Sequence, residues 1–421
     1  MPVALSDRDR ALLRGDLGEG SAFAMRLVVL AAEALGAERL LDISGAHVDS
    51  CLFHGRATLD FVGRISDGGT QVAVPTTLNV GAIDLLHPEL WHGSPAAAAD
   101  GRRLMEAYRA LGCRPTYTCA PYQTPWARPG LGEQVAWAES NAIVFCNSVL
   151  GARTERYGDF TDIACAVTGR APDAGLHRTD ARRATLVLGL ADDVPAALRD
   201  ADLLYPVLGM VLGRRAGSAV AALTGLPAGL SEDRLKAVGA AAASSGAVAM
   251  FHAVGSTPEA PSLEAATGGG EVPTEEITLD ELRDARDALT TGMGMPLAGV
   301  SLGTPHASLA ELRAIAAALD GRRPQLDLLV STGRDVLAAA EAEGTAARLV
   351  ACGVELLVDT CSYLAPVLRG APGAIMTDSA KWAAYAPGNI GRQVVFAGRD
   401  DCVASALAGR VVLNLAPWGG A

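Results

Sequence analysis

From about residue 247 onward the chain repeats one pattern, a short apolar run followed by an amphipathic segment, and few folds accept it. The apolar runs are 247–254, 298–302, 326–330, 354–358 and 373–376. Between them, 279–289, 309–319 and 336–343 carry apolar residues at helical spacing. Strands apolar along their whole length are buried on both faces, and regular alternation with helices makes such a sheet parallel. The pattern predicts an α/β fold with parallel or mixed sheets covered by helices. No short-period repeat of solenoid type is visible.

The first third reads less regularly. An apolar stripe through Phe23, Leu27, Leu30 and Ala31 predicts a helix over 20–35, with Gly36 placed to end it. Strands are expected at 40–43, 71–74 and 115–119, and a long helix at 132–150. The polar stretch 172–183 suggests a boundary, so the chain divides into an N-terminal part, 1–175, and a C-terminal α/β part, 176–421. The stretch 268–278, rich in Gly, Glu and Thr, reads as a surface loop. At 421 residues the chain is long enough for two or three domains.

A formal charge of −12 with dispersed acidic residues argues against nucleic acid or an anionic membrane as a partner. The segment from Met1 to Arg10 alternates charges and lacks an apolar signal core. The most apolar long stretch, 238–254, is broken by Ser244, Ser245, Gly246 and His252, so it reads as a buried helix followed by a strand. The expectation is a cytoplasmic protein whose eight cysteines are mostly reduced. No CxxC pair occurs, which argues against zinc ribbons and thioredoxin chemistry. Cys113, Cys165, Cys352 and Cys402 sit in unremarkable segments and read as core residues.

In open parallel sheets the ligand crevice lies at the carboxyl ends of the strands. Here those ends carry Gly303-Thr304-Pro305-His306, Asp359-Thr360-Cys361 and Ser379-Ala380-Lys381. Turn and cap chemistry accounts for about half of such polar residues. It does not account for an imidazole, a thiol and an amine. Cys119, Cys146 and Cys361 are far apart in sequence, and spacing alone leaves them as readily core thiols as ligands. No G-x-S-x-G elbow, P-loop or dinucleotide fingerprint is present.

Five blocks, in order, resemble the aconitase X family. They are Thr118-Cys119-Ala120-Pro121-Tyr122, the passage 132–154 with Glu139-Ser140-Asn141 and Phe145-Cys146-Asn147-Ser148, then Gly303-Thr304-Pro305-His306, Asp359-Thr360-Cys361, and 379–388 with Ser379-Ala380-Lys381 and Pro387-Gly388. The resemblance implies an aconitase-like multi-domain architecture around an iron–sulfur cluster held by three cysteines. By motif these are Cys119, Cys146 and Cys361, with Cys51 the alternative for one of them. Its open iron would act as a Lewis acid.

The family implies dehydration of a hydroxylated acid. Cys146, Thr304 and the segment from Ala46 to Gly55 resemble its cis-3-hydroxy-L-proline branch, giving pyrroline-2-carboxylate. The branch that dehydrates mevalonate 5-phosphate is the alternative, and a non-catalytic aconitase-like subunit is another. The elimination needs a base, a carboxylate clamp and an acid or metal for the leaving oxygen. His47, His54, His306 and Lys381 are the expected catalytic groups, and Thr76, Asn141, Ser148, Thr304, Asp359 and Ser379 the expected substrate contacts. Glu139 could orient substrate or simply cap a helix. Family members carry a small swivelling domain, fused or as a separate subunit. Nothing in this sequence resembles it, so a heterodimer is expected, with the small subunit closing the site and able to supply a catalytic hydroxyl.

Overall fold

The computed structural model describes residues 3–370 and 372–419, so the two residues at each end of the segments discussed above, Met1-Pro2 and Gly420-Ala421, lie outside the described residues, as does Ala371. The chain packs as two compact units. One is Met1–Ile83 with Gly93–Arg183; the other is Asp84–His92 with Ala184–Ala421.

In the first unit, Ser6 and Asp9 form a capping box that starts the helix Asp7–Arg14. The helix Glu19–Ala34 follows, ending before Gly36 with its φ of +67°. The strand Leu40–Asp42 pairs antiparallel with Arg170–Pro172. A three-stranded parallel sheet runs in the order Thr76–Leu78, Ala46–Val48, Ala136–Trp137. The helix Thr161–Thr168, buried from Asp162 onward, packs against this sheet and against Glu19–Ala34.

Three expectations fail here for local reasons. Residues 71–74 are not a strand, because the N–H groups of Val72 and Ala73 bond the carbonyls of Leu111 and Ala166. Residues 115–119 are not a strand either, since Tyr117 turns the chain at φ +42°. The helix expected over 132–150 begins only at Ser140. Before it come the strand Ala136–Trp137 and Glu139, which sits at φ +73° with its carboxylate capping the Ala142 N–H. Ser140–Phe145 then widens into a π-helical turn, Cys146–Leu150.

The second unit holds two all-parallel sheets. One has the order Phe251–Ala253, Ala221–Thr224, Leu186–Leu190, Thr274–Ile277. The last strand lies inside the expected surface loop; its exposed Thr-Glu-Glu face suits a charged sheet edge. The helix Leu204–Ala216 packs closely on Glu232–Ser245 because Gly209 has no side chain. A Cβ there would sit 2.4 Å from the Val238 carbonyl.

The other sheet has the order Glu355–Leu357, Leu328–Thr332, Leu297–Ala307, Ala374–Thr377, Val394–Phe396. Its core joins Val300, Leu302, Leu328, Val330 and Met376 to Leu312, Ile315 and Leu349 of the covering helices. The helix expected over 309–319 is observed as Leu309–Leu319, started by a Ser308–Glu311 capping box. The central strand is longer than expected. Gly303 to His306 is its irregular continuation, with a register shift between Leu302 and Ala307. At Gly303, φ is +81° and a Cβ would lie 2.1 Å from the Ser331 carbonyl, so only glycine allows the two strands this approach.

Candidate active site

In the second unit, the carboxyl ends of the five-stranded sheet collect buried polar groups. His306, Ser331, Thr360, Ser362 and Lys381 are all nearly inaccessible. The His306 Nε2 faces the Thr360 carbonyl at 3.2 Å. Donor atoms of His306 and Cys361 come within 4.8 Å of each other, a spacing from which one metal can take both. Ser362 bonds Ser301 at 2.8 Å and accepts from the Trp382 indole at 2.9 Å, which fixes the turn after Cys361. Ser379 caps the helix Ala380–Ile390 by accepting the Trp382 N–H, and so places Lys381 in its first turn.

Asp359, at φ +62°, is held differently. Both its oxygens meet Arg334 at 2.6 Å, and one also accepts the Leu85 N–H. Burial pushes its carboxyl up from the usual range, against the pull of Arg334. Thr304 is buried, and its hydroxyl has no partner among the described residues. Thr304, Ser379 and Lys381 line a cavity of about 310 Å³. Its wall also carries an ion chain: Lys236 pairs with Asp233 and Glu311, and Arg399 joins Glu311 to Asp378.

In the first unit, the three parallel strands end in Asp49, Asn79 and Glu139. His47 is fully buried, its Nδ1 2.8 Å from the Thr77 hydroxyl and its ring centroid 5.8 Å from that of Trp137. Burial holds its pKa down to about 3, against the nearby Glu139 charge, so the ring is neutral. Burial pushes Asp49 up to about 8, with Asp159 and Glu139 adding repulsion. Asp162, pushed up to about 6 by burial, accepts the N–H groups of Asp49 and Ser50. His54 is exposed on the following turn, close enough to Asp159 to act on its charge.

The remaining expected residues of this unit have defined places. Asn141 donates to the Cys119 carbonyl at 3.0 Å and to the Tyr122 hydroxyl at 2.9 Å, fixing the loop that carries the buried Cys119. Cys146 lies in an apolar cluster with Tyr122, Trp137 and Phe145, and burial pushes its thiol well up. Ser148 is buried on the same π-helical turn, a feature often found at functional sites. Thr76 turns back to the Val74 carbonyl at 2.9 Å. Cys51 donates to the Asn79 carbonyl at 3.2 Å, and burial raises its pKa too. Cys113, Cys165, Cys352 and Cys402 are buried.

The comparisons with known proteins agree along the chain. Family models described as Aconitase X first, second and third domain match residues 2–180, 185–287 and 297–408. A cis-3-hydroxy-L-proline dehydratase of Pseudomonas aeruginosa is 43% identical, covering 97% of this chain and 71% of its own length. The chain belongs to the aconitase X family. A second aconitase X relative, the cis-3-hydroxy-L-proline dehydratase of Hypocrea jecorina, is 40% identical over 97% of this chain and 69% of its own. The phosphomevalonate dehydratase large subunit of Methanothermobacter thermautotrophicus is 37% identical, over 94% and 96%. The crystal structure of Thermococcus kodakaraensis aconitase X in its holo form superposes with a TM-score of 0.86 at 29% identity. It covers 96% of this chain and all of that one. The α/β architecture is therefore that of aconitase X.

Sequence reasoning missed Asp49, Asn79 and Arg334. The first two follow strands of only three residues, too short for an alternation pattern to be read. Arg334 gave no signal, because its partner Asp359 is 25 residues away. The donor chemistry suits an iron–sulfur group: Cys119 and Cys361 are buried thiols on loops held by side-chain bonds, and His306 adds a nitrogen beside Cys361. Among the described residues no helix is long and apolar enough to cross a membrane.

Proposed function

We propose that this chain is the catalytic large component of a dehydratase that converts cis-3-hydroxy-L-proline to pyrroline-2-carboxylate. The observation that carries the reading is the 43% and 40% identity, each over 97% of the chain, to two enzymes of that name. The large subunits of phosphomevalonate dehydratases, at 37% identity and below, support the shared reaction type and mark the alternative substrate. Both groups are dehydratases, so the chain is an enzyme of the carbon–oxygen lyase class.

In this reading Cys119, Cys146 and Cys361 hold an iron–sulfur centre, with Cys51 the alternative for one of them. When bound, the centre supplies a Lewis acid for the departing hydroxyl. His47, His54, His306 and Lys381 contact substrate and handle its protons and carboxylate. Neutral His47 can accept a hydrogen bond at physiological pH. Lys381, on the first turn of its helix, offers a cation near partly positive N–H groups, a combination suited to a carboxylate. Thr76, Asn141, Ser148, Thr304, Asp359 and Ser379 orient substrate directly or through the loops they hold. A small-subunit partner belongs to the same reading and rests on the name "large subunit" of relatives that this chain covers by 96% and more of their length. A cytoplasmic location completes it.

The test is a dehydration assay on the anaerobically purified protein, co-expressed with a small subunit. Pyrroline-2-carboxylate should form from cis-3-hydroxy-L-proline and vanish in Cys361→Ala together with bound iron. An iron-loaded enzyme that leaves hydroxyproline untouched and dehydrates mevalonate 5-phosphate would overturn the substrate assignment.

A further inference from the structure

The strand ends of the first unit carry a wall of hydrogen-bond acceptors. Three parallel neighbours, Ala46–Val48, Thr76–Leu78 and Ala136–Trp137, end in step. Beyond them stand Asp49, Asn79 and Glu139, one or two residues past each strand. The alternation of side chains along a strand puts His47 and Asp49 on the same face.

The hydrogen bonds fix what each group can still offer. The Thr77 hydroxyl lies 2.8 Å from His47 Nδ1 and 3.3 Å from the Ala46 carbonyl; in the tautomer in which it donates to the carbonyl, it accepts from His47, whose proton sits on Nδ1. The Nε2 lone pair is then free. It is fully buried and has no partner among the described residues. Asn79 spends its Nδ2 on Asp49, which leaves its buried Oδ1 as a second unpartnered acceptor. Asp49 has a second oxygen to give. Asp159 and Asp162 stand nearby, and no lysine or arginine among the described residues pairs with Asp49, Asp159 or Asp162.

Two buried acceptors without donors, beside a carboxyl group that lacks a counter-charge and so holds its proton, would be matched by a ligand that supplies both donors and a positive charge. A phosphate or a second carboxylate supplies neither. A secondary ammonium supplies both, because it carries two N–H donors and a positive charge. We propose that Asp49, Asn79 and His47 bind the cationic ring nitrogen of the substrate and thereby select cyclic amino acids over phosphorylated hydroxy acids. The inference deepens the proposed function and rests on it for the identity of the amino acid. For the charge of the ligand it rests on the acceptor wall alone.

The experiment is titration calorimetry of the full chain, purified anaerobically, with L-proline and with tetrahydrofuran-2-carboxylate, which replaces the ring N–H by oxygen. A site that pairs an ammonium should prefer proline by about 100-fold or more. Asp49→Asn should cut that preference at least about 10-fold by weakening proline alone, and Asn79→Leu should cut it less. Equal binding of the two ligands by the wild-type protein would overturn the proposal, even if Asp49→Asn failed to fold. So would a preference that survives both substitutions. A preference that depends on Asp49, in a protein that leaves hydroxyproline unreacted, would uphold the ammonium site and refute the hydroxyproline assignment instead.

Discussion

Arg182 is the buried cation on which the π-helical turn of the first unit depends. Its guanidinium donates to the Asn147 and Ala152 carbonyls at 2.9 and 3.1 Å, to the Leu176 carbonyl at 2.9 Å and to Asn147 Oδ1 at 3.0 Å. These acceptors bring the C-terminal end of Cys146–Leu150 against the loop before the second unit. In Arg182→Met the side chain keeps its bulk and loses every donor. Asn147 Oδ1 would still receive the Thr154 N–H. The three carbonyls would be stranded, each at about 1–1.5 kcal/mol. A loss of about 3–5 kcal/mol follows, in the range for breaking a buried polar network. Urea unfolding followed by tryptophan fluorescence reads it as a lower midpoint at unchanged slope. Arg182→Lys, with one compact ammonium for a forked donor, should recover less than half. A loss below about 1 kcal/mol in Arg182→Met would show that water or rearrangement satisfies the turn, and that Arg182 does not organise it.

The pH dependence of stability has a readable sign. Asp49 binds its proton more tightly folded than unfolded, so its contribution is full below the ordinary carboxylate range and is lost as pH rises toward about 8. His47 at about 3 and His177 at about 4 act the other way, but only below the ordinary histidine pKa. Between pH 6.5 and 8 Asp49 gives the larger slope, with a smaller one of the same sign from Asp162 at about 6: stability should fall by about 1–2 kcal/mol, and Asp49→Asn should remove most of the fall. Denaturant midpoints across that window decide it. In the other unit, Gly303→Ala puts a methyl group into the Ser331 carbonyl, so it should cost about 2–4 kcal/mol and at least about 10-fold in turnover, read by thermal unfolding and the dehydration assay.

Where one physical rule dominated, the sequence was legible. The five-stranded sheet buries both faces, so its strands are apolar throughout and its helices amphipathic, and 309–319 could be read to the residue. The same regularity pointed to the strand ends, where His306 and Cys361 place donor atoms within 4.8 Å of each other and Lys381 is buried after another strand of the sheet. The first unit resisted because its short strands, Ala46–Val48, Thr76–Leu78 and Ala136–Trp137, have three residues or fewer. No alternation pattern can be read from so short a run. Helical propensity over 132–150 was real, yet the tertiary bonds of Ala136 and Ala138 to Gly45 and His47 claimed its first turn for the sheet.

What composition hid most completely was the distribution of charge within sites. A net charge of −12 with dispersed acids looks like an ordinary solvated surface. Yet Asp49 and Asp162 are burdened by burial, while Asp233, Glu311 and Asp378 are matched to Lys236 and Arg399. The two groups have the same residue types and opposite consequences. In the matched group each carboxylate already has a cation, and further ligand charge would disturb the balance. In the unmatched group the carboxylate at the strand ends has hydrogen-bond donors and no cation, so a positive ligand would complete it. On the proposal above, that contrast separates a structural ion network from a substrate site, and it depends on pairings such as Asp49–Asn79, Lys236–Glu311 and Asp49–Asp162, which are 30, 75 and 113 positions apart and which no local pattern encodes.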